Sequence, residues 1–156
     1  MTKNPVPDEG VATAQRLNDA MKRLRARLRT ESGQHATGLS ATQLGVLAGV
    51  VREGPVTAAR LASTEHVSAQ AIAQSLAVLK AAGLIHSEPD PKDARKKLMS
   101  ADPSATELIS RLLDGRAAFL ARAIDQVIAA NERTDLDKAI ELLERLAEAD
   151  LGGGTW

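Results

Sequence analysis

The chain has 156 residues, is 44% hydrophobic, and balances 20 basic against 20 acidic side chains for a formal net charge of zero. That length suits one domain with a helical extension, and the hydrophobic fraction suffices for a core. With no cysteine, disulfides, thiolate metal sites and thiol redox switches are excluded, and a single tryptophan and a single phenylalanine argue against an aromatic platform for single-stranded nucleic acid.

The charge is unevenly spread, with local nets of +3 over 1–39, +2 over 40–101 and −5 over 102–156. No apolar run approaches the length of a membrane span, and the first ten residues lack a signal peptide's apolar stretch, so a cytoplasmic protein is expected.

In chain order, residues 1–10 hold two prolines and a glycine and read as a loose arm. A helix is expected from Val11 to about Thr30, because Leu17, Met21, Leu24 and Leu28 recur at helical spacing. Lys22, Arg23, Arg25, Arg27 and Arg29 fall on its other side and read as a solvated cationic face. Residues 32–38 read as a loop. Ser40 and Gln43 then form a capping box that opens a helix with Leu44, Leu47 and Val51 on its apolar face. Gly54-Pro55 ends it, and Pro55-Val56 can serve as a minimal strand. Thr57 caps a short helix, followed by a turn at Glu65-His66-Val67.

Ser68 is the N-cap of the next helix, and Val67 and Ile72 have the spacing of a hydrophobic staple. Ile72, Leu76 and Leu79 place one stripe on a core, and Gly83 ends the helix. Away from that stripe lie Ala69, Gln70, Ala73, Gln74 and Ala77, a flat surface of small side chains with two amides. Leu84 to Glu88 and Lys97 to Ser100 read as two short strands around a charged turn. Asp102 and Pro103 give an N-cap and first-turn proline for a long helix reaching about Ala130. Thr134 then caps a last helix, in which Leu136, Ile140 and Leu143 recur almost as heptads. Residues 151–156, with Trp156, read as a tail.

Two short helices joined by a tight turn, then a hairpin with cations at its tip, are a helix-turn-helix followed by a wing. Leu61-Ala62, Ser68, Leu76, Leu79, Gly83-Leu84-Ile85 and the Asp93-x-Arg95 of the hairpin carry a specific likeness. The segment resembles the winged helix-turn-helix of MarR-family transcriptional regulators, and the likeness spans about 11 to 150. It implies a mainly α fold with a small β-hairpin wing and N- and C-terminal dimerisation helices. The expected organisation is a dimerisation segment at 1–39, a DNA-binding lobe at 40–101, dimerisation helices at 102–150 and the tail. Leu17, Met21, Leu136, Ile140 and Leu143 would pair two subunits.

The expected partner is double-stranded DNA carrying a pseudo-palindromic operator, and regulation would be by repression. The helix at Ser68 would enter the major groove, with Gln70 and Gln74 as base contacts. Thr57 and Ser68, at helix N-termini, suit phosphate. Arg95, Lys96 and Lys97 would serve the wing, with Asp93 directing the Arg95 guanidinium toward the minor groove. The resemblance also implies a small-molecule effector between lobe and dimer helices, whose contacts the sequence leaves unassigned.

An enzyme is not expected. His35, His66 and His86 share no metal-ligand spacing, no glycine-rich phosphate loop precedes a helix, and no cofactor is implied. The rival is a dimeric helical interaction protein that keeps the fold but has little specific DNA affinity. It is motivated by departures from the family pattern: Ser87 stands where an arginine is usual, Ala94 where a second arginine or another charged residue is usual, and no cation precedes Lys80 in the helix at Ser68.

Overall fold

The computed structural model describes residues 8–150. It contains six α-helices among those residues: α1 (Asp8–Glu31), α2 (Ala41–Glu53), α3 (Ala58–Glu65), α4 (Ala69–Ala81), α5 (Pro103–Val127) and α6 (Arg133–Ala147). Three strands accompany them: β1 (Val56–Thr57), β2 (Ile85–Pro89) and β3 (Lys97–Ala101). The chain packs as two compact units, one reaching to Ala117 and the other beginning at Ala118. Among the described residues no helix is long and apolar enough to cross a membrane. The architecture is mainly helical with a small antiparallel sheet, as the sequence pattern implies.

The core of the first unit is aliphatic. Leu47, Leu61, Ile72 and Leu79 are fully buried and come from α2, α3 and α4. Val56, Ile85 and Met99 add one side chain from each strand, and Ile109 and Leu112 extend the core along α5. Burying each such side chain stabilises the fold by roughly 1.5–3 kcal/mol. The α2–α3 crossing depends on Gly49. A Cβ there would lie 2.9 Å from both Leu61 Cδ2 and Glu65 Oε1, so any larger residue would displace the buried Leu61 or the Glu65 carboxylate that pairs with Arg52.

The local signals explain the boundaries. Ser40 Oγ accepts from the Gln43 N–H at 3.1 Å, and Gln43 Oε1 accepts from the Ser40 N–H at 2.9 Å, closing the capping box of α2. The Gly54-Pro55 bond that follows α2 is cis. At the end of α4, Gly83 takes φ +70°, its N–H donates to the Lys80 carbonyl, and the Leu84 N–H donates to the Leu79 carbonyl. That pair of bonds is a Schellman cap, which requires the left-handed residue that glycine supplies without strain.

In the sheet, order β1-β3-β2, Met99 faces Val56 on one side and Ser87 on the other. The central β3 is therefore paired along both edges, and β2 is an edge strand ending at Pro89.

Several sequence expectations need correction. The arm does not extend to residue 10, because α1 begins at Asp8. Glu9 complements the helix dipole in the first turn, which offsets part of the cost of Gly10. The remainder of that arm, 1–7, and the tail with Trp156 lie outside the described residues. The loop after α1 contains a 3-10 turn, Gln34–Thr37, flanked by Gly33 and Gly38 in left-handed conformations. Glu65 belongs to α3, so the turn is narrower than expected. Helix α5 stops at Val127, and a 3-10 turn at Ala130–Glu132 leads straight into α6. Thr134 consequently sits inside the first turn of α6 and does not cap it. In the second unit, an ion pair of 2.7 Å joins Arg133 to Asp125.

Candidate nucleic-acid interface

The helix-turn-helix is built by three local devices. Thr57 Oγ1 accepts from the Arg60 N–H at 3.2 Å and starts α3. His66 then takes a left-handed conformation, φ 52°, and the N–H groups of His66 and Val67 both converge on the Ala62 carbonyl. Ser68 Oγ accepts from the Ala71 N–H at 3.2 Å and starts α4. The turn is short because a single residue reverses the backbone hand, so α3 and α4 pack directly around Leu61 and Ile72.

Helix α4 presents the face that its spacing predicts. Ile72, Ser75, Leu76 and Leu79 are buried, whereas Ala69, Gln70, Ala73, Gln74 and Ala77 are exposed. Gln70 and Gln74 lie one turn apart on that exposed side. The first basic residue of the helix is Lys80, in its last turn.

The wing is a closed turn. The Asp90 N–H donates to the Lys96 carbonyl at 2.9 Å, and the Lys96 N–H donates to the Asp93 carbonyl at 2.9 Å. Asp90 Oδ1 accepts from the Lys92 N–H at 2.8 Å. At the tip, Asp93 Oδ1 accepts from both the Arg95 backbone N–H and Arg95 Nε at 3.1 Å, and Oδ2 accepts from a terminal guanidinium nitrogen at 3.4 Å. These bonds hold the Asp93 carboxyl below the usual carboxylate range. The Arg95 side chain is nonetheless 91% exposed, so it is oriented without being covered. Lys96 and Lys97 are exposed beside it. The structure thus brings Asp93, Arg95, Lys96 and Lys97 together at one tip, while Thr57, Ser68, Gln70 and Gln74 belong to the helix pair.

Three further constellations escaped the sequence reading. First, Arg52 donates to Glu65 Oε1 at 2.9 Å and to Glu53 Oε1 at 3.1 Å, and Arg60 Nε donates to Glu53 Oε2 at 3.2 Å. The guanidinium groups of Arg52 and Arg60 hold the Glu53 carboxyl below its ordinary range. This network ties the end of α2 to α3.

Second, His86 Nδ1 on β2 lies 2.9 Å from Asp102 Oδ1 at the start of α5. The expected N-cap residue therefore turns its carboxylate to the wing. Its backbone carbonyl instead accepts from Ala105 and Thr106 at the start of α5.

Third, the buried Gln34 accepts through Oε1 from Arg116 at 3.0 Å, and Arg116 Nε is buried without a hydrogen-bond partner. Both line a cavity of about 460 Å³ with Arg25, Arg29 and the aliphatic residues Leu28 and Leu44. Separations of 13, 16 and 82 residues hide these partners from any periodicity argument.

The residues expected at a subunit interface fall in both units. In the first, Leu17 is half-buried and Met21 is 46% exposed. In the second, Leu136 is half-buried while Ile140 and Leu143 are 44% and 41% exposed. Among the described residues, no group of three or more His, Asp or Glu side chains is placed to hold a metal ion.

A capped helix pair, an exposed second helix and a cation-tipped hairpin define a winged helix-turn-helix protein. Residues 37–96, which contain that whole arrangement up to the wing, match the MarR family model. The chain is similar to helix-turn-helix-type transcriptional regulators of Mycobacterium leprae and Mycobacterium tuberculosis, each 29% identical over 141 residues, covering 90% of this chain and 96% of the relative. Among solved structures it is similar to a transcriptional regulator of Pseudomonas aeruginosa, with 27% identity, a TM-score of 0.78, and coverage of 94% of this chain and 100% of that one. A Mycobacterium tuberculosis protein of 23% identity shares the fold at a TM-score of 0.79, covering 96% of this chain and all of its own. Over residues 37–96 the chain is thus similar to the MarR family of transcriptional regulators.

Proposed function

We propose that this protein is a homodimeric, sequence-specific double-stranded DNA-binding repressor of the cytoplasm. One observation carries the reading. An exposed face of α4 bearing Gln70 and Gln74 stands in the same lobe as a wing that presents an oriented Arg95. Helix α4 enters the major groove N-terminal end first, as second helices of this motif do. Gln70 and Gln74 contact base edges. Thr57 and Ser68 begin helices whose first-turn N–H groups face phosphate. Arg95 enters the minor groove, where negative potential favours a guanidinium, and Lys96 and Lys97 add backbone attraction.

Residues 40–101 form the DNA-binding lobe. Residues 1–39 and 102–150 pair two subunits through Leu17, Met21, Leu136, Ile140 and Leu143. Two lobes then read a pseudo-palindrome with half-sites about one helical turn apart. The cavity at Gln34 and Arg116 takes a small, largely apolar effector with an anionic group. Three arginines and no acidic residue line it, and the Arg116 Nε awaits an acceptor. The effector shifts the dimer population away from the DNA-binding geometry. No catalytic step is proposed.

Fluorescence anisotropy tests the reading, using duplexes from the upstream region of the protein's own gene, for wild type and Arg95→Ala, at two salt concentrations. A regulator loses affinity steeply with salt because its phosphate contacts release counterions, and Arg95→Ala weakens it. Binding no tighter than to scrambled DNA, in either protein and across a broad operator library, overturns it. A second reading, a dimeric interaction protein with the same fold, is favoured by Ser87, Ala94 and the uncharged face of α4. It predicts weak binding without sequence preference.

A further inference from the structure

Four α-helices begin inside the first unit after residue 40, and each follows a residue whose side chain can cap it: Ser40, Thr57, Ser68 and Asp102. In α2, α3 and α4 the side-chain oxygen does so, accepting from the third residue of its helix at 3.1, 3.2 and 3.2 Å. Helix α5 is the exception. Aspartate followed by proline is as favourable a start as the other three, yet the Asp102 carboxylate bonds His86 Nδ1 at 2.9 Å. A carboxylate only accepts, so Nδ1 carries the proton in that bond.

The consequence is an unfinished helix end. Pro103 has no N–H, and the Ala105 and Thr106 N–H groups share the Asp102 backbone carbonyl at 3.0 and 3.3 Å. The Ser104 N–H has no protein partner among the described residues. An aspartate at this position reaches the N–H groups of the second and third helical residues, here Ser104 and Ala105. With one carboxylate oxygen on His86, the other bonds neither of them, so the two uses exclude each other.

Those uses belong to different elements. His86 is the second residue of β2 and faces Ser100 of β3 near the base of the wing. There the Asp102 N–H donates to the Leu84 carbonyl at 2.9 Å, which ties Asp102 to the hairpin independently of its side chain. Burial locks neither partner, since the His86 and Asp102 side chains are 49% and 34% exposed. An exposed pair of this kind is weak and an N-cap contributes about as much, so the two positions lie close in free energy. One element with two nearly balanced arrangements is the physical basis of coupling between distant parts of a fold.

We propose that Asp102 is a two-position residue at the base of the wing: its carboxylate either fastens β2 through His86 or caps α5. Loosening the wing tightens the start of α5, and fastening the wing leaves that start open. The device involves β2 and α5 alone and does not depend on what the wing meets.

Amide hydrogen exchange by NMR on the full-length protein tests this, in wild type, His86→Ala, His86→Ala/Asp102→Ala and His86→Ala/Asp102→Asn. Removing the imidazole frees the carboxylate, so in His86→Ala the Ser104 amide exchanges about five-fold more slowly, the protection that a cap of ordinary strength gives. The amides joining β2 to β3 exchange faster in the same variant. The gain at Ser104 disappears with Asp102→Ala and returns with Asp102→Asn, because asparagine caps as well as aspartate. A contact that only held the wing would loosen β2 and leave Ser104 unchanged, and that result overturns the proposal. So does a gain at Ser104 that survives Asp102→Ala. Wild-type exchange at the buried Leu47 and Leu79 marks a folded protein, and His86→Val, which suits a strand, replaces His86→Ala throughout if the alanine variant does not fold.

Discussion

At the scale of single residues, the Asp93–Arg95 clasp sets the direction of the guanidinium at the tip of the wing. A free arginine loses about 0.5–1.5 kcal/mol of side-chain freedom on docking. The Asp93 carboxylate has already restricted Arg95 before any groove is met. Asp93→Ala is therefore expected to weaken operator binding several-fold although it removes a negative charge, and titration by anisotropy checks this. A gain in affinity would show that charge outweighs orientation at this position. Arg95→Ala is expected to reduce the salt slope of binding by about one as well as the affinity.

The pH dependence follows from the sign of the Asp93 shift. Its folded-state carboxyl is depressed by Arg95. The clasp is thus fully formed above the unfolded carboxylate value of about 3.9 and is lost only as pH falls through the lower folded value. Backbone amide NMR of Arg95 should be flat from neutral pH down to about pH 5 and change only well below it. A midpoint near neutrality would contradict the clasp.

At the scale of elements, the caps of α4 fix where the exposed face begins and ends. Ser68→Ala removes an N-cap oxygen and should cost about 1 kcal/mol. Gly83→Ala forces a side chain into the left-handed position of the Schellman cap, at a cost of roughly 1–2 kcal/mol. Urea unfolding with an unchanged m-value would check both. These caps were legible because the residues that satisfy a helix end lie within four positions of it. The exposed Gln70 and Gln74 were legible for the same reason, since their placement follows from the Ile72, Leu76 and Leu79 stripe. Thr134 misled because a threonine ahead of an apolar pattern has the chemistry of a cap, whereas the 3-10 turn at Ala130–Glu132 leaves no extended residue there. The Arg52–Glu65, His86–Asp102 and Gln34–Arg116 partners were not legible. Each joins residues that only the completed tertiary fold brings within reach.

At the scale of the whole molecule, Ile140 and Leu143 leave an apolar face on α6 open, with Leu146 61% exposed one turn further on. We expect Ile140→Asp with Leu143→Lys to convert a dimer to a monomer in analytical ultracentrifugation. The lobe's secondary structure should persist, because the buried core of the first unit includes neither residue. A variant that stays dimeric would remove α6 from the proposed subunit interface.

The wing has a cost that concerns solubility. Its outer strand β2 leaves backbone donors and acceptors open on one side, a template on which another chain can add a strand. This strand is five residues long, exposes Glu88 and ends in Pro89, which has no N–H to offer. Shortness, charge and proline are the means by which natural sheets blunt such an edge. The edge of the hairpin is thus blunted against its own copies, and a double change of Glu88→Val and Pro89→Val would be expected to show first as concentration-dependent aggregation.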